Sequence, residues 1–471
     1  MTKERFQEII NYIGECIKGS EFENHVFTVG GCVRDTVMGN PIKDIDICVD
    51  IPEGGIKLAE YMHNKKLIVR PPITYPTYGT AMFKFKRYNQ EEIECVHTRG
   101  EKYYNKDSRN PQVTFADLYE DSVRRDLTIN SLYMNVSTNE VIDPTGNGFQ
   151  DIKDGICRVT NEQPDIVFMD DPLRILRVIR FAVRYNFDID EDTSSSMKKN
   201  ADRLSIITRE RITDEFCKMM LSPDPARALD LMRYYGVMGR VVPEVEKMVG
   251  LEQNEYHFGD VWSHTSKVVE NLSNTTIKVT DEWLLPVRIA GLLHDIGKIR
   301  SQMVDDNGKI HFYEHEIVGC DIATDILKEM RISNSEIKKV VFLIKNHMRT
   351  KQWGASCENV KDKKFNKFVY ECGSYDALTA LMCLIDADNM AHKTDKCIEG
   401  QGEVVINKAK GSPMFGYKLP IDGNVVCKTL SIGPSRDVKK YLKHCLKLAF
   451  SNPGITYDEC VYHIKKDKIS L

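Results

Sequence analysis

No stretch of this chain limits its fold as tightly as Phe27–Asp50, which reads FTVGGCVRDTVMGNPIKDIDICVD. Val26–Val29 is short, apolar and β-branched, the composition of a strand. Gly30-Gly31 comes next, and then a helix-like segment with Arg34 and Asp35. Glycines let the main chain approach a phosphate closely, and N–H groups at a helix start favour anions. Thirteen residues after Gly31 stands Asp44-Ile45-Asp46. At the start of a strand these two carboxylates share one face, because strand side chains alternate with period two. Such a pair can hold one or two Mg²⁺ ions, which prefer a few carboxylates plus substrate phosphates. Paired metals activate a hydroxyl nucleophile and stabilise a leaving pyrophosphate. A glycine turn beside an ordinary solvated acidic pair is the plain alternative; the two halves in this order are more specific than either alone.

Composition narrows the class. At ~100–200 residues per domain, 471 residues imply three or four domains. With 42% hydrophobic and 28% charged residues the chain is globular rather than disordered. The most apolar segment, Trp283–Ile296, is interrupted by Arg288, His294 and Asp295, which argues against a membrane span. Near the N-terminus Phe6, Ile9, Ile10, Ile13 and Ile17 recur at helical spacing among charges, unlike a signal peptide. Fourteen cysteines without a close CxxC pair read as reduced packing thiols, so a cytoplasmic protein without a Cys-knuckle zinc site is expected. The net charge of −4 speaks against a purely electrostatic nucleic-acid binder and leaves room for a local basic surface.

Four stretches differ in texture. Residues 1–157 mix helical and strand patterns, with Ile45–Val49, Thr80–Phe85 and Glu92–Val96 as further strands. Residues 158–248 are helical: Leu173, Leu176, Ile179, Phe181 and Val183 fill one broad face, with Arg174, Arg177 and Arg180 along another. Residues 249–396 are helical and hold most of the histidines, and 397–471 begin with loop signals and end in helices. The expected class is therefore α+β, a mixed sheet with helices in front of a mainly helical remainder.

GG-x-VRD followed by DID resembles the nucleotidyltransferase core of the DNA polymerase β superfamily. More narrowly it resembles bacterial tRNA nucleotidyltransferases (CCA-adding enzymes) and their poly(A) polymerase relatives. The family's RRD-F-TINAL segment, which contacts ribose and triphosphate, is similar to SVRRDLTINSLYM at Ser122–Met134, and Arg124, Arg125, Asp126 and Asn130 fall on its positions. Arginine suits a triphosphate through forked, charge-assisted bonds. DPTGNGFQD at Asp143–Asp151 resembles a family hinge motif with one residue inserted, and Gly146 and Gly148 permit a turn there. DDPLRILRVIRF at Asp170–Phe181 resembles the motif that selects the base. Asp171 and Arg174, i and i+3 on an expected helix with Pro172 in its first turn, would share a face. An Asp accepts from an exocyclic amino group and an Arg donates to the neighbouring ring acceptor. Cytosine and adenine offer that pattern, whereas uracil and guanine present the reverse. The resemblance thus implies Asp44 and Asp46 as catalytic Mg²⁺ ligands. It also implies a nucleotide site of Gly30, Gly31, Arg34, Arg124, Arg125, Asp126, Asn130, Asp171, Arg174 and Arg177. Glu94, on a later strand, is a candidate third carboxylate.

The third stretch contains SHTSKVVENL, LLHDIGK, HFYEHE, KNHM and LIDADNMAH. Imidazole and carboxylate together suit a divalent metal that activates water for phosphoester attack. The order resembles the HD phosphohydrolase superfamily. By position it implies His264, His294, Asp295 and Asp388 (preferred over Asp386) as ligands of a divalent metal of unspecified identity. His315 and His347 lie nearby for phosphate or a second metal.

The reading is a template-independent RNA nucleotidyltransferase adding C and A from CTP and ATP to tRNA 3′ ends, with an HD phosphohydrolase activity. No membrane partner is expected, and the sequence leaves the oligomeric state open. A poly(A), A-only or CC-only polymerase is the nearest alternative. An RNA-end phosphohydrolase with a vestigial polymerase core is another, and a non-catalytic RNA-binding scaffold a third. Lys439, Lys440, Lys443 and Lys447, on an expected helix in a tail with eight Lys/Arg against four Asp/Glu from Pro434 onward, are candidates to track tRNA phosphates.

Overall fold

The structure is a computed structural model that describes residues 1–88, 91–102, 112–254, 259–354, 357, 360–392 and 398–466. The chain divides into two compact units, Met1–Pro223 with Arg227–Val241, and Asp224–Ala226 with Val242–Leu471. The domain boundary expected at residues 396 and 397 lies outside the described residues.

In the first unit, helix α1 (Lys3–Ile17) is capped by the Thr2 hydroxyl, which accepts the Arg5 N–H at 3.2 Å. Its apolar stripe, Phe6, Ile9, Ile10, Ile13 and Ile17, is fully buried. Strands β1 (Val26–Val29), β2 (Ile45–Val49), β3 (Ile73–Tyr75), β4 (Thr80–Phe83), β5 (Ile93–His97), β6 (Tyr133–Asn135) and β7 (Val141–Ile142) form one mixed sheet in the order β3-β4-β5-β2-β1-β6-β7. The β2–β5 pair is parallel and the other neighbours are antiparallel. α1 and the helix Gly54–Asn64 pack on the face carrying Val26, Ile45, Ile47 and Val49. Phe27, Val29, Cys48 and Tyr133 form a second apolar cluster on alternate positions. β1 is therefore buried throughout, as a strand covered on both faces must be.

The helical part of this unit departs from expectation at one point that matters for the site. Asp171 and Arg174 do not share a helix: one helix runs Pro164–Asp170 and the next Arg174–Tyr185, with Asp171 extended between them at φ −143° and ψ 98°. Asp171 precedes Pro172, and the proline ring disfavours helical backbone at the residue before it. Arg174 and Arg180 are also buried, although they lie on the arginine face of Arg174–Tyr185.

The second unit is built around helix Asp281–Leu293, which packs against Val261–Asn274, Asn334–Asn346 and Tyr375–Asn389. Every residue from Pro286 to Leu293 is buried, including Arg288. Among the described residues no single helix is long and apolar enough to cross a membrane. Gly423–Leu430, Arg436–Ala449 and Tyr457–Lys466 form a smaller helical cluster with its own core of Val426, Tyr441, Cys445, Cys460 and Ile464.

Candidate functional site

The turn after β1 places the first site. Gly30 sits at φ 75°, ψ −126°, backbone that a side chain would strain, and its carbonyl accepts the first bond of helix Gly31–Met38 from the Arg34 N–H. On the neighbouring strand, Asp44 immediately precedes β2 and Asp46 is its second residue. Asp46 pairs in register with Glu94 of β5, which sets the two side chains on one face. Burial first, and the Glu94 charge second, push the Asp46 carboxyl up to about 6. A divalent cation relieves that repulsion, so the donor set fits a metal. Glu94 does not close with Asp44 and Asp46 into a three-ligand group.

These residues open into one cavity of about 1150 Å³ lined by nine arginines, one lysine and six aspartates, a net cationic wall suited to a polyanion. Gly30, Gly31, Arg34, Asp44, Asp46, Arg124, Arg125, Asp126, Asn130, Asp171, Arg174 and Arg177 all line it. Many of the arginines are already anchored. Arg34 is buried, ion-pairs with Asp35 at 2.9 Å, donates to the Asn130 side-chain oxygen and lies over the Phe181 and Tyr185 rings. Asn130 donates to Asp126 at 3.1 Å, and Arg177 pairs with the other Asp126 oxygen at 2.7 Å. Burial opposes ionisation of Asp126, but Arg177, the Asn130 amide and Arg174 together outweigh it and hold the carboxyl well below the usual carboxylate range. Arg180 pairs with buried Glu215 at 2.6 Å.

Sequence reasoning missed Asp121. Fully buried, it accepts from Arg124, Arg125, the Tyr133 hydroxyl and the Arg99 main-chain N–H. Its spacing of three and four residues from the two arginines was a readable signal. Arg211 was missed as well. It ion-pairs with Asp171 at 2.6 Å, while Arg174 donates to the Val167 and Arg124 carbonyls at 3.2 and 2.6 Å. The Asp143–Asp151 turn carries side-chain hydrogen bonds at both ends. Asp143 accepts from the Thr145 hydroxyl and the Gly146 and Phe149 N–H groups, and Asp151 from the Thr128 hydroxyl.

The second site lies wholly in the second unit. His264 and His294 Nε2 atoms face each other at 3.4 Å. Asp295 Oδ2 is 3.6 and 3.2 Å from them, and Asp388 Oδ1 is 3.1 and 3.9 Å away. His315 and His347 Nε2 lie 3.3 Å apart, with His315 Nε2 3.3 Å from Asp295 Oδ1. All four histidines turn Nδ1 to a main-chain carbonyl, of Ala391, Gly291, Phe312 and Ile344 respectively. Donation there leaves Nε2 with a lone pair in the neutral imidazole. Opposed lone pairs and carboxylates repel unless a cation lies between them. Metal–ligand bonds of ~2.0–2.2 Å set adjacent ligand atoms about 3.0–3.5 Å apart, close to the spacing seen. The donors form two groups that share Asp295, His264–His294–Asp295 and Asp295–His315–His347. Asp386 turns elsewhere and accepts the Gly402 N–H at 2.7 Å.

Two lysines balance this charge. Lys298 Nζ lies 2.7 Å from Asp295 Oδ2, and Lys351 Nζ 2.8 Å from Asp388 Oδ2. Burial works against the Asp295 and Asp388 charges. His294 and Lys298 on one, and Lys351 and His264 on the other, still hold both carboxyls well below their ordinary range. Burial, reinforced by His294, pushes His347 down to about 3, so its imidazole is neutral at pH 7.

Comparison with known proteins matches three families in chain order. Residues 26–158 match the poly A polymerase head domain, 186–248 the probable RNA and SrmB-binding site of polymerase A, and 260–388 the HD domain. Residues 26–158 therefore form a poly A polymerase head domain and residues 260–388 an HD domain, in one chain. The chain is 38% identical to the mitochondrial CCA tRNA nucleotidyltransferase of Saccharomyces cerevisiae, over 43% of this chain and 40% of that one. It is 32% identical to the A-adding tRNA nucleotidyltransferase of Deinococcus radiodurans, over 49% and 53% of the two chains. The match thus spans about half the length of these curated relatives or less. The Bacillus stearothermophilus CCA-adding enzyme, solved in complex with CTP, shares the fold at TM-score 0.69 and 20% identity, covering 99% of this chain and 98% of that one. The α+β class expected from sequence is the one found, a mixed sheet with helices followed by a mainly helical remainder.

Proposed function

We propose that this chain is a template-independent RNA nucleotidyltransferase that completes tRNA 3′ ends with C and A from CTP and ATP. The observation that carries the reading is one cationic cavity that gathers the glycine turn, the Asp44/Asp46 pair, the Arg124–Arg125–Asp126 run and Asp171 with Arg174. Asp44 and Asp46 would hold Mg²⁺, which, when bound, supplies Lewis-acid activation of the RNA 3′-hydroxyl and charge neutralisation at the departing pyrophosphate. The Gly30-Gly31 turn and the helix that it opens orient phosphates. Arg124 and Arg125, oriented by Asp121, set a positive wall for the triphosphate. Asp126 and Asn130 face the ribose, and Asp171 with Arg174 reads the base edge once nucleotide replaces the Asp171–Arg211 pair. An Asp acceptor beside an Arg donor accepts C and A, and mispaired buried polar groups penalise U and G.

The HD pocket is a metal-dependent phosphohydrolase site for RNA ends. His264, His294, Asp295 and Asp388 hold one divalent ion, and Asp295, His315 and His347 have the chemistry for a second. The cytoplasm is the proposed compartment: none of the thirteen described cysteines is in a disulfide.

The test is incubation with Mg²⁺, all four NTPs and tRNA transcripts ending before CCA, after C and after CC, followed by 3′-end sequencing. The expected result is ordered completion of all three. The relation to an A-adding relative keeps a second reading specific: addition of A to the CC-ending transcript alone would replace the CCA assignment. Long A tails would replace it with a poly(A) polymerase.

A further inference from the structure

Among the described residues, two aromatic residues line the cationic cavity of the first unit, Tyr78 and Phe181. Phe181 belongs to helix Arg174–Tyr185, the helix that carries Arg174. It is 5% exposed, with the Arg180 guanidinium 4.1 Å from its ring centroid and the Tyr185 ring stacked in parallel at 6.1 Å. That ring is already covered. Tyr78 is 55% exposed, and among the described residues no aromatic ring or cation lies against it. It ends the short turn Pro76–Tyr78 that joins β3 to β4. The turn is held in place by the residue after it. Gly79 sits at φ 61°, its N–H donates to the Pro76 carbonyl at 3.1 Å, and a Cβ there would collide with the His97 ring of β5. An open aromatic ring on a fixed turn gives up little freedom when a ligand covers it.

The sheet sets this turn apart from the nucleotide's groups. In the order β3-β4-β5-β2-β1, the glycine turn follows β1, the carboxylate pair belongs to β2, and Tyr78 lies beyond β5. Met82 of β4 is in register with Glu94, and Glu94 with Asp46. Tyr78 precedes Met82 by four residues, which puts it roughly 13 Å from the carboxylates along the strand direction. It is therefore too far to touch the reacting atoms. The base of the incoming nucleotide has its own wall in Asp171 and Arg174, so the Tyr78 wall is left for the other reactant. That reactant is a single-stranded RNA end whose last base changes with each addition. Stacking on an aromatic ring suits it, because every base has a π face and the contact tolerates any sequence.

We propose that Tyr78 is an RNA-binding residue of this cavity, its ring the platform on which an unpaired base at the RNA 3′ end stacks. The inference rests on the nucleotidyltransferase reading for the identity of the RNA, and on the open ring at the cavity wall for its chemistry.

The experiment uses the full chain and a tRNA transcript ending in CC. Its Kd is measured by fluorescence anisotropy without nucleotide, and the KM values for RNA and ATP are measured in A addition. Tyr78→Leu keeps an apolar side chain and removes the ring, whereas Tyr78→Phe and Tyr78→Trp keep a ring. The expected result is RNA binding about tenfold weaker for Tyr78→Leu, the loss of one base–aromatic stack, with KM for RNA raised to match and KM for ATP unmoved. Tyr78→Phe and Tyr78→Trp should bind RNA as the wild type does. Transcripts that lack the base at each of the last three nucleotides in turn complete a double-mutant cycle. At one of those positions the missing base should weaken wild-type binding by the same factor and erase the difference from Tyr78→Leu. Equal RNA affinity for the wild type and Tyr78→Leu overturns the proposal, as does a change confined to KM for ATP. So does equal loss in Tyr78→Phe, which would assign the effect to the hydroxyl, and so does a difference that persists at all three abasic positions. Tyr78→Ser provides a second ring-free variant should Tyr78→Leu not fold. Nucleotide addition is scored separately from binding. Ring-dependent RNA binding by a protein that adds no nucleotide sinks the transferase reading and keeps this one, and addition by a protein whose RNA affinity ignores Tyr78 does the reverse.

Discussion

At the scale of single residues, Asp121 matters more than its silent place in the sequence suggests. One buried carboxylate fixes Arg124, Arg125 and Tyr133 at once. Removing a buried partner leaves the others' charges uncompensated, so Asp121→Ala is expected to cost about 3–5 kcal/mol in chemical denaturation. Burial tends to raise this carboxyl, but the two arginines outweigh it and hold it far below its ordinary value of 3.8. A depressed acid contributes stability that is present above the unfolded-state pKa and lost as pH falls through it towards the folded one. Stability of the first unit should therefore fall on acidification below about pH 4, and Asp121→Asn should flatten that part of the profile. At the Asp44/Asp46 pair the expectation is different. The double change to Asn removes two like charges from a crowded face, so it leaves folding intact and abolishes nucleotide addition. Continued incorporation by that variant would sink the polymerase assignment.

At the scale of elements, the sites are built at the ends of strands and helices. The first uses the strand-to-helix turn at Gly30 and the register that sets Asp46 beside Glu94. The second uses helices from which His264, His294, His315 and His347 turn Nε2 towards a common carboxylate. Because that donor set lies in the second unit, His294→Ala is expected to abolish phosphohydrolase activity and reduce bound metal while leaving addition at the wild-type rate. Loss of both activities in a folded protein would refute two separate sites. Pro172 belongs to this scale too. It breaks the expected helix and leaves the Asp171 carboxylate at a helix junction, where Arg211 from helix Arg209–Met220 can reach it.

At the scale of the molecule, the net charge of −4 conceals a local concentration of positive charge. Lys439, Lys443 and Lys447 stand four residues apart on helix Arg436–Ala449, and with Lys440 they are exposed. If that face tracks tRNA phosphates, changing all four lysines to alanine should weaken tRNA binding and flatten its salt dependence, with a slope change of up to about four. Unchanged affinity would remove the tail from the RNA-binding surface.

What was legible in the sequence was local. A β-branched run, two glycines and a period-two carboxylate pair imply strand, turn and strand whatever surrounds them, because those preferences are set by backbone sterics and side-chain alternation. The histidine order, through its resemblance to a known superfamily, pointed to candidate ligands that the fold does bring together. What a resemblance or a spacing rule could not supply was the partner of each charge. In the sequence Arg124 and Arg125 stand only as triphosphate-contacting positions, and it took the fold to put Asp121 and Tyr133 beneath them. Asp171 and Arg174 were read as one helical face, and the local rule at Pro172 outweighed the spacing rule. Lys298, Lys351 and Asn389 gather around one cavity from positions up to 91 residues apart, a juxtaposition that only tertiary packing creates. Sequence alone determined which chemical groups this protein carries and which backbone turns present them. The tertiary structure decided which of those groups pair with one another and which line a cavity, since burial and ion pairing depend on segments remote in the chain.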